Sequence, residues 1–129
     1  MSDIFTIEII SPDQTILKQE ANEVVIPSYE GQMGILNNHI PLITFLRPGI
    51  IKIKNKDEKK FYVEEGTVEF SNNSLLILTS TARDLANFDK VLINDLLKEA
   101  ESQLNTADFT DKDRYVASYK IETLREINQ

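Results

Sequence analysis

The sequence predicts an N-terminal antiparallel β-sandwich followed by a C-terminal two-helix antiparallel hairpin. Three observations carry that expectation. Short segments before Asp84 alternate apolar and polar side chains with period two, as strands with one buried face do. Turn residues separate these segments and no helical pattern intervenes, which favours a sandwich or barrel. From about Asn87 the apolar spacing changes to three and four, the period of a helix packed on one side. We therefore place a β-sandwich domain at 1–86 and a helical hairpin at 87–129.

"IFTIEII" sets Phe5, Ile7 and Ile9 on one face and Thr6 and Glu8 on the other. "TILKQE" and "EVVIPS" follow, with "SPDQ" as the turn before the first of them. "IIKIKNK" alternates Ile51 and Ile53 with Lys52, Lys54 and Lys56, and "KKFYVEE", "TVEFS" and "SLLILTS" complete the strand series. Their turns are "RPG", "NKDE" and "SNNS". In the second part, Ile93, Leu96, Leu97, Ala100 and Leu104 recur at helical spacing behind Asp89, a natural N-cap. Thr110 with Asp113 forms a capping-box pattern, and Ala117, Ile121 and Leu124 continue a second stripe flanked by Val116 and Ile127. Helices of this length are marginal in water unless an apolar face is covered. The hairpin therefore needs a surface, on its own sandwich or on another protein, and is a candidate switch.

Composition excludes several function classes. With 41% hydrophobic and 27% charged residues the chain can build a core, so wholesale disorder is not expected. A net charge of −7 argues against nucleic acid as a partner, because phosphate binding needs a basic face. Cysteine is absent, which removes disulfides and thiolate chemistry. "MSDIFTIEII" lacks the pattern of a secretory leader, and no apolar run reaches the ~20 residues of a membrane span, so no direct membrane insertion is expected.

The segment "EGQMGILNNHIPLITFLRPGIIKIK" gathers three of the four glycines, two of the four prolines and the single histidine. His39 has no partners at metal-binding or nucleophile-activating spacing, although Ser28 and Asp84 make a triad formally possible. Gly31 and Gly34 read as turn positions with positive φ rather than as a phosphate loop. Glu64 and Glu65 on one strand would point to opposite faces and share no proton; Asp57 and Glu58 belong to a turn kept soluble by Lys56, Lys59 and Lys60. We expect no catalytic residue, no metal and no cofactor.

That segment resembles the hallmark of the epsilon subunit of F-type, proton-translocating ATP synthases. The pattern falls on Gly31, Gly34, Ile35, Leu36, His39, Pro41, Leu42, Pro48 and Gly49. A second block resembles the family through Gly66, Glu69, Asn73 and Leu78. The resemblance implies a non-catalytic rotor subunit of the central stalk, coupling proton flow to ATP synthesis. Its sandwich would clamp the gamma subunit and rest on the c-subunit ring. It would be peripheral, on the cytoplasmic face of a bacterial inner membrane, with a plastid-encoded origin as the other source. Glu30, Gly31 and Gln32 match the ring-facing loop, and His39, Pro41 and Leu42 the gamma-facing turn. In some relatives the hairpin extends toward the alpha/beta catalytic head and blocks hydrolysis.

Two departures shape the expectation for the tail. Where certain relatives carry an ATP motif, this chain has Phe88-Asp89-Lys90-Val91-Leu92-Ile93; Leu92 occupies the arginine position and cannot pair with phosphate. ATP binding by the isolated chain is therefore expected to be weak or absent. On the second helix Lys112, Arg114, Lys120 and Arg125 are offset by Asp111, Asp113, Glu122 and Glu126, so an extended tail would be steered weakly toward an acidic target. Two other classes stand beside this reading. One is a sandwich that binds a peptide or other ligand, with the helices as a dimerisation tail. It would need an aromatic groove from a chain with no Trp and 8% aromatics. The other is an enzyme acting through His39.

Overall fold

A computed structural model of the chain describes residues 3–106 and 108–128. Ten strands come first: β1 (Phe5–Ile10), β2 (Thr15–Ala21), β3 (Glu23–Ser28), β4 (Gly31–Leu36), β5 (Leu42–Leu46), β6 (Gly49–Lys54), β7 (Glu58–Val63), β8 (Gly66–Ser71), β9 (Ser74–Leu78) and β10 (Arg83–Asp84). A 3-10 turn at Leu85–Asn87 leads to α1 (Lys90–Gln103) and α2 (Asp111–Ile127).

The strands pair in the order β10-β7-β6-β3-β5-β8-β9-β1-β2, with β4 hydrogen-bonded to β3. Two layers result, because β3 and β5 meet at a single pair, Ser28 opposite Leu46, where the sheet folds over. Alternation then fills the space between them. β3, β4, β6 and β7 contribute Val24, Ile26, Ile35, Ile51, Ile53, Phe61 and Val63; β1, β5, β8 and β9 contribute Phe5, Ile7, Ile9, Leu46, Val68, Phe70, Leu75 and Ile77. Each such side chain contributes about 1.5–3 kcal/mol on leaving water, so this core is the main source of stability. Phe5 and Phe70 meet edge to face at 5.7 Å inside it.

The antiparallel sandwich and the hairpin match the sequence reading, and four details differ from it. First, Gly31–Leu36 and Leu42–Leu46 form strands where turns dominated the reading, since backbone pairing with β3 and β8 overrides the local glycine content. Second, Gly34 is not a positive-φ turn residue. It sits inside β4 opposite Val25, and only Gly31 of that pair is left-handed, at φ 113°. Third, Glu64 and Glu65 lie in the link between β7 and β8, where the Thr81 hydroxyl accepts both their N–H groups. Fourth, β1 and β9 are parallel, with Thr6 opposite Ser74 and Ile10 opposite Leu78, because the first strand returns to close the second layer.

The hairpin packs over β6 and β7. Ile93 and Leu124 are buried with Tyr62, and Leu85, Phe88, Leu96, Leu97 and Ile127 surround them. Asp89 Oδ1 accepts the Val91 N–H at 2.9 Å. Thr110 and Asp113 exchange reciprocal bonds at 3.1 and 3.2 Å, completing the capping box.

Gly66 marks the tightest approach in the second layer. Its φ is 156°, and an added Cβ would lie 2.5 Å from the Leu78 carbonyl oxygen and 2.9 Å from Thr79 Cβ. Replacing it with Ala forces β8 away from the end of β9. The Gly66→Ala chain is expected to lose about 1–3 kcal/mol of unfolding free energy, measured by denaturant unfolding; an unchanged midpoint would refute this account.

Candidate functional site: a bare sheet face and a docked hairpin

The ring-matching turn is built by Ser28. Its hydroxyl donates to the Gly31 carbonyl at 2.7 Å and accepts the Glu30 N–H at 3.2 Å. Glu30 is exposed, with Thr44 Oγ1 donating to its carboxylate at 3.5 Å, and Gln32 is exposed opposite Pro27. The turn thus presents short polar groups on a backbone fixed from beneath.

His39 leans edge-on against Phe70 at 5.8 Å, and its Nδ1 donates to the Ile40 carbonyl at 2.7 Å. Ser28 is committed to its turn and Asp84 caps the 3-10 helix through the Ala86 N–H. The three residues of the formal triad therefore hold separate structural hydrogen bonds. Pro41 is exposed, and Leu42 packs against the core.

Sequence reasoning missed the outer face of the second layer. Register aligns Phe45 with Thr67, Thr67 with Leu78, and Leu78 with Ile10, so these side chains form one row across β5, β8, β9 and β1. Ile43 stands in the next row, opposite Glu69. Ile43 is 75% exposed, Phe45 59% and Leu78 46%, with Ile40 at 74% beyond the strand end. A contiguous exposed apolar surface of this kind marks a place where another molecule packs. The signal was present in "LITFL", where both strand faces are apolar although only Leu42, Thr44 and Leu46 turn inward. An open groove continues from this row past Pro12, Thr79 and Ser80 to Lys112 on α2.

Of the four basic residues named on the second helix, Lys112 is exposed and the other three are engaged. Arg114 donates to the Leu104 carbonyl at 3.2 Å, and Arg125 pairs with Glu101 at 2.7 Å. Lys120 reaches across to the sandwich and pairs with Glu64 at 3.3 Å, both side chains largely covered. Tyr62 donates to the same Glu64 oxygen at 3.0 Å. Burial first, then the Glu64 charge and this hydrogen bond, push the Tyr62 phenol far above its ordinary range, so it stays a neutral donor.

Along Phe88–Ile93, Phe88 packs on Tyr62 at 5.4 Å, Asp89 is spent as a cap, Leu92 is half-buried and Ile93 is buried. A cleft between the helices is lined by Glu101, Glu122 and Glu126 against Arg125, which is already paired. Three carboxylates around one committed guanidinium oppose a polyphosphate.

A sandwich with one half-face covered by its own hairpin and the other bare and apolar defines a module built for assembly. Comparison with known proteins specifies which one. Residues 4–84 match a family model described as the ATP synthase, Delta/Epsilon chain, beta-sandwich domain. An ATP synthase epsilon chain of Pelagibacter ubique is 46% identical over 130 residues, covering 99% of this chain and all of that protein. The chloroplastic epsilon chain of Porphyra purpurea is 36% identical, covering 95% of this chain and 87% of its own length. In structure, a chain of the Euglena gracilis mitochondrial ATP synthase, described as OSCP/F1/c-ring in rotational state 1, superposes with TM-score 0.81 at 21% identity. It covers all of this chain and 84% of that one, and shares its fold. This chain belongs to the ATP synthase epsilon chain family.

The nucleotide motif gives a direct expectation. Titration of the isolated chain with ATP in a calorimeter should give no binding in the micromolar range, and heat saturating at micromolar ATP would overturn it.

Proposed function

We propose that the chain is a non-catalytic central-stalk subunit of a proton-translocating ATP synthase, linking gamma to the c-ring and so coupling proton flow to ATP synthesis. Membership of the epsilon chain family supports the class, and the outer sheet face exposing Ile43, Phe45 and Leu78 beside half-buried Ile10 is the observation that carries the mode of action. In this reading gamma covers that row, with His39, Pro41 and Leu42 at its end. The Glu30–Gly31–Gln32 turn rests on the polar loops of the ring through shape and hydrogen bonds. The chain works as a peripheral part of the membrane complex, on the cytoplasmic face in a bacterium. No helix of the described residues is long and apolar enough to cross a membrane. Hydrolytic and synthetic chemistry reside in other subunits, with the site histidine serving packing.

The row makes the reading testable. A carboxylate introduced at Phe45 would be buried without a partner in the assembled state, yet sits in water in the free chain. Phe45→Glu should leave the thermal midpoint of the free chain nearly unchanged and weaken capture by gamma at least tenfold in a pull-down titration. Undiminished capture would place gamma elsewhere.

The hairpin is a weak inhibitor of hydrolysis in this reading. Arg114, Lys120 and Arg125 are all engaged while it is docked, and the net charge of residues 110–129 is zero, so an acidic segment of the alpha/beta head attracts it little. Removing residues 89–129 should raise the ATPase rate of the complex less than about twofold; a several-fold rise would show strong inhibition instead.

A further inference from the structure

Besides the apolar cluster around Tyr62, the hairpin touches the sandwich at a second place of different chemistry. The Arg47 guanidinium carbon lies over the Tyr119 ring, 3.9 Å from its centre. Tyr119 meets Tyr115 edge to face at 4.8 Å, and Tyr115 stacks on Tyr29 at 5.8 Å with an interplanar angle of 17°. These four residues come from two separated parts of the sandwich and two successive turns of α2. Tyr115 and Tyr119 are four apart, so they share one helix face by construction.

Arg47 is poorly served without the hairpin. One guanidinium nitrogen donates to the Pro48 carbonyl at 3.0 Å, while Nε is buried with no hydrogen-bond partner among the described residues. No carboxylate pairs with it among those residues, so the electron-rich face of the Tyr119 ring is what attracts its charge. The backbone around it is fixed: Arg47 N–H donates to Pro27 at 3.0 Å, and Gly49 sits so close to Pro27 that a Cβ would lie 2.5 Å away. Tyr29 is equally constrained, being held in the Ser28–Gly31 turn. The sandwich thus presents a cation and a ring on fixed backbone at a spacing that α2 fills with two tyrosines.

We propose that Arg47, Tyr29, Tyr115 and Tyr119 form a clasp that locks the hairpin onto the sandwich, and that this clasp, not a bound nucleotide, sets the balance between docked and released hairpin. The clasp stands on the geometry of this chain alone and does not require the rotor reading. It also ties the hairpin to the Tyr29–Gly31 turn, so that release of α2 strips Tyr29 of its stacking partner and frees that turn's largest side chain. Hairpin docking and the conformation of the turn are then two readings of one equilibrium.

The full chain tests this without partners. Tyr119→Leu and Arg47→Met keep bulk and stem while removing the ring or the charge. Limited trypsin digestion followed by mass spectrometry reads release through cleavage at Lys112, Arg114 and Lys120, which docking protects. Each single variant, and Tyr29→Leu in the distant turn, should speed that cleavage about three- to tenfold. The Arg47→Met, Tyr119→Leu double variant should exceed the faster single variant by less than twofold, because both remove one interaction. The cleavage rate within residues 1–86 and the thermal midpoint of the sandwich should stay unchanged. Arg125→Met, which breaks only an exposed bond inside the hairpin, should behave as wild type. Wild-type cleavage in the clasp variants, fully additive effects of Arg47 and Tyr119, or acceleration that appears only with a matching loss of sandwich stability would each overturn the clasp. Protection of the hairpin by millimolar ATP in the clasp variants would overturn the claim that nucleotide plays no part.

Discussion

The hairpin buries only small or few side chains between its own helices, and that constraint governs the rest of the molecule. α1 and α2 bury Ile93, Ala100, Ala117, Ile121 and Leu124, yet only Ile93 and Leu124 of these join a larger apolar cluster, and its largest member is Tyr62, a strand residue. Neither helix is long enough to be stable alone in water, so the docked state borrows its apolar surface from β6 and β7. The sandwich does not need that loan in return. Its sixteen buried core residues form a separate cluster between the two layers. The two parts are therefore unequal partners, one self-sufficient and one dependent, and a dependent part is the part that can move.

Polar contacts at the junction are arranged to hold a geometry. Glu64 accepts from Tyr62 and pairs with Lys120, so one carboxylate is shared between the sandwich and α2. A partly covered ion pair of this kind adds little net stability after desolvation, but it resists sliding of the helix along the strands. Thr79 and Thr81 perform a similar service at the β7–β8 link. Their hydroxyls hold the Glu64 and Glu65 backbone and leave the Glu64 side chain aimed at the hairpin.

The legible parts of the fold were those fixed by local rules. Alternation in "IFTIEII" and "IIKIKNK" marked buried faces that the structure keeps, and Asp89 and the Thr110–Asp113 pair cap the helices as their chemistry requires. The less legible parts depend on partners distant in sequence. β4 and β5 looked like turns because Gly31, Gly34, Pro41 and Pro48 crowd around them, and only pairing with β3 and β8 makes them strands. The bare apolar row needs the cross-strand register of four strands before Phe45, Leu78 and Ile10 are seen side by side. Resemblance to a known family pointed to Gly31, His39 and Gly66 as a pattern. It could not reveal that Gly66 is needed for a close approach to the Leu78 carbonyl while His39 merely leans on Phe70.

The parallel pairing of β1 with β9 has a consequence for how the protein comes into being. Ile9 cannot reach its native neighbour Ile77 until almost the entire sandwich has been synthesised. Closure of the second layer is thus a late, long-range event, opposed by the entropy of joining the chain's beginning to its far side. Before it happens, β9 lacks the hydrogen-bonding neighbour that β1 provides. On a ribosome, the emerging polypeptide would carry an open apolar edge until Leu78 clears the exit tunnel, and the helical tail, emerging last, would find a finished wall to settle on.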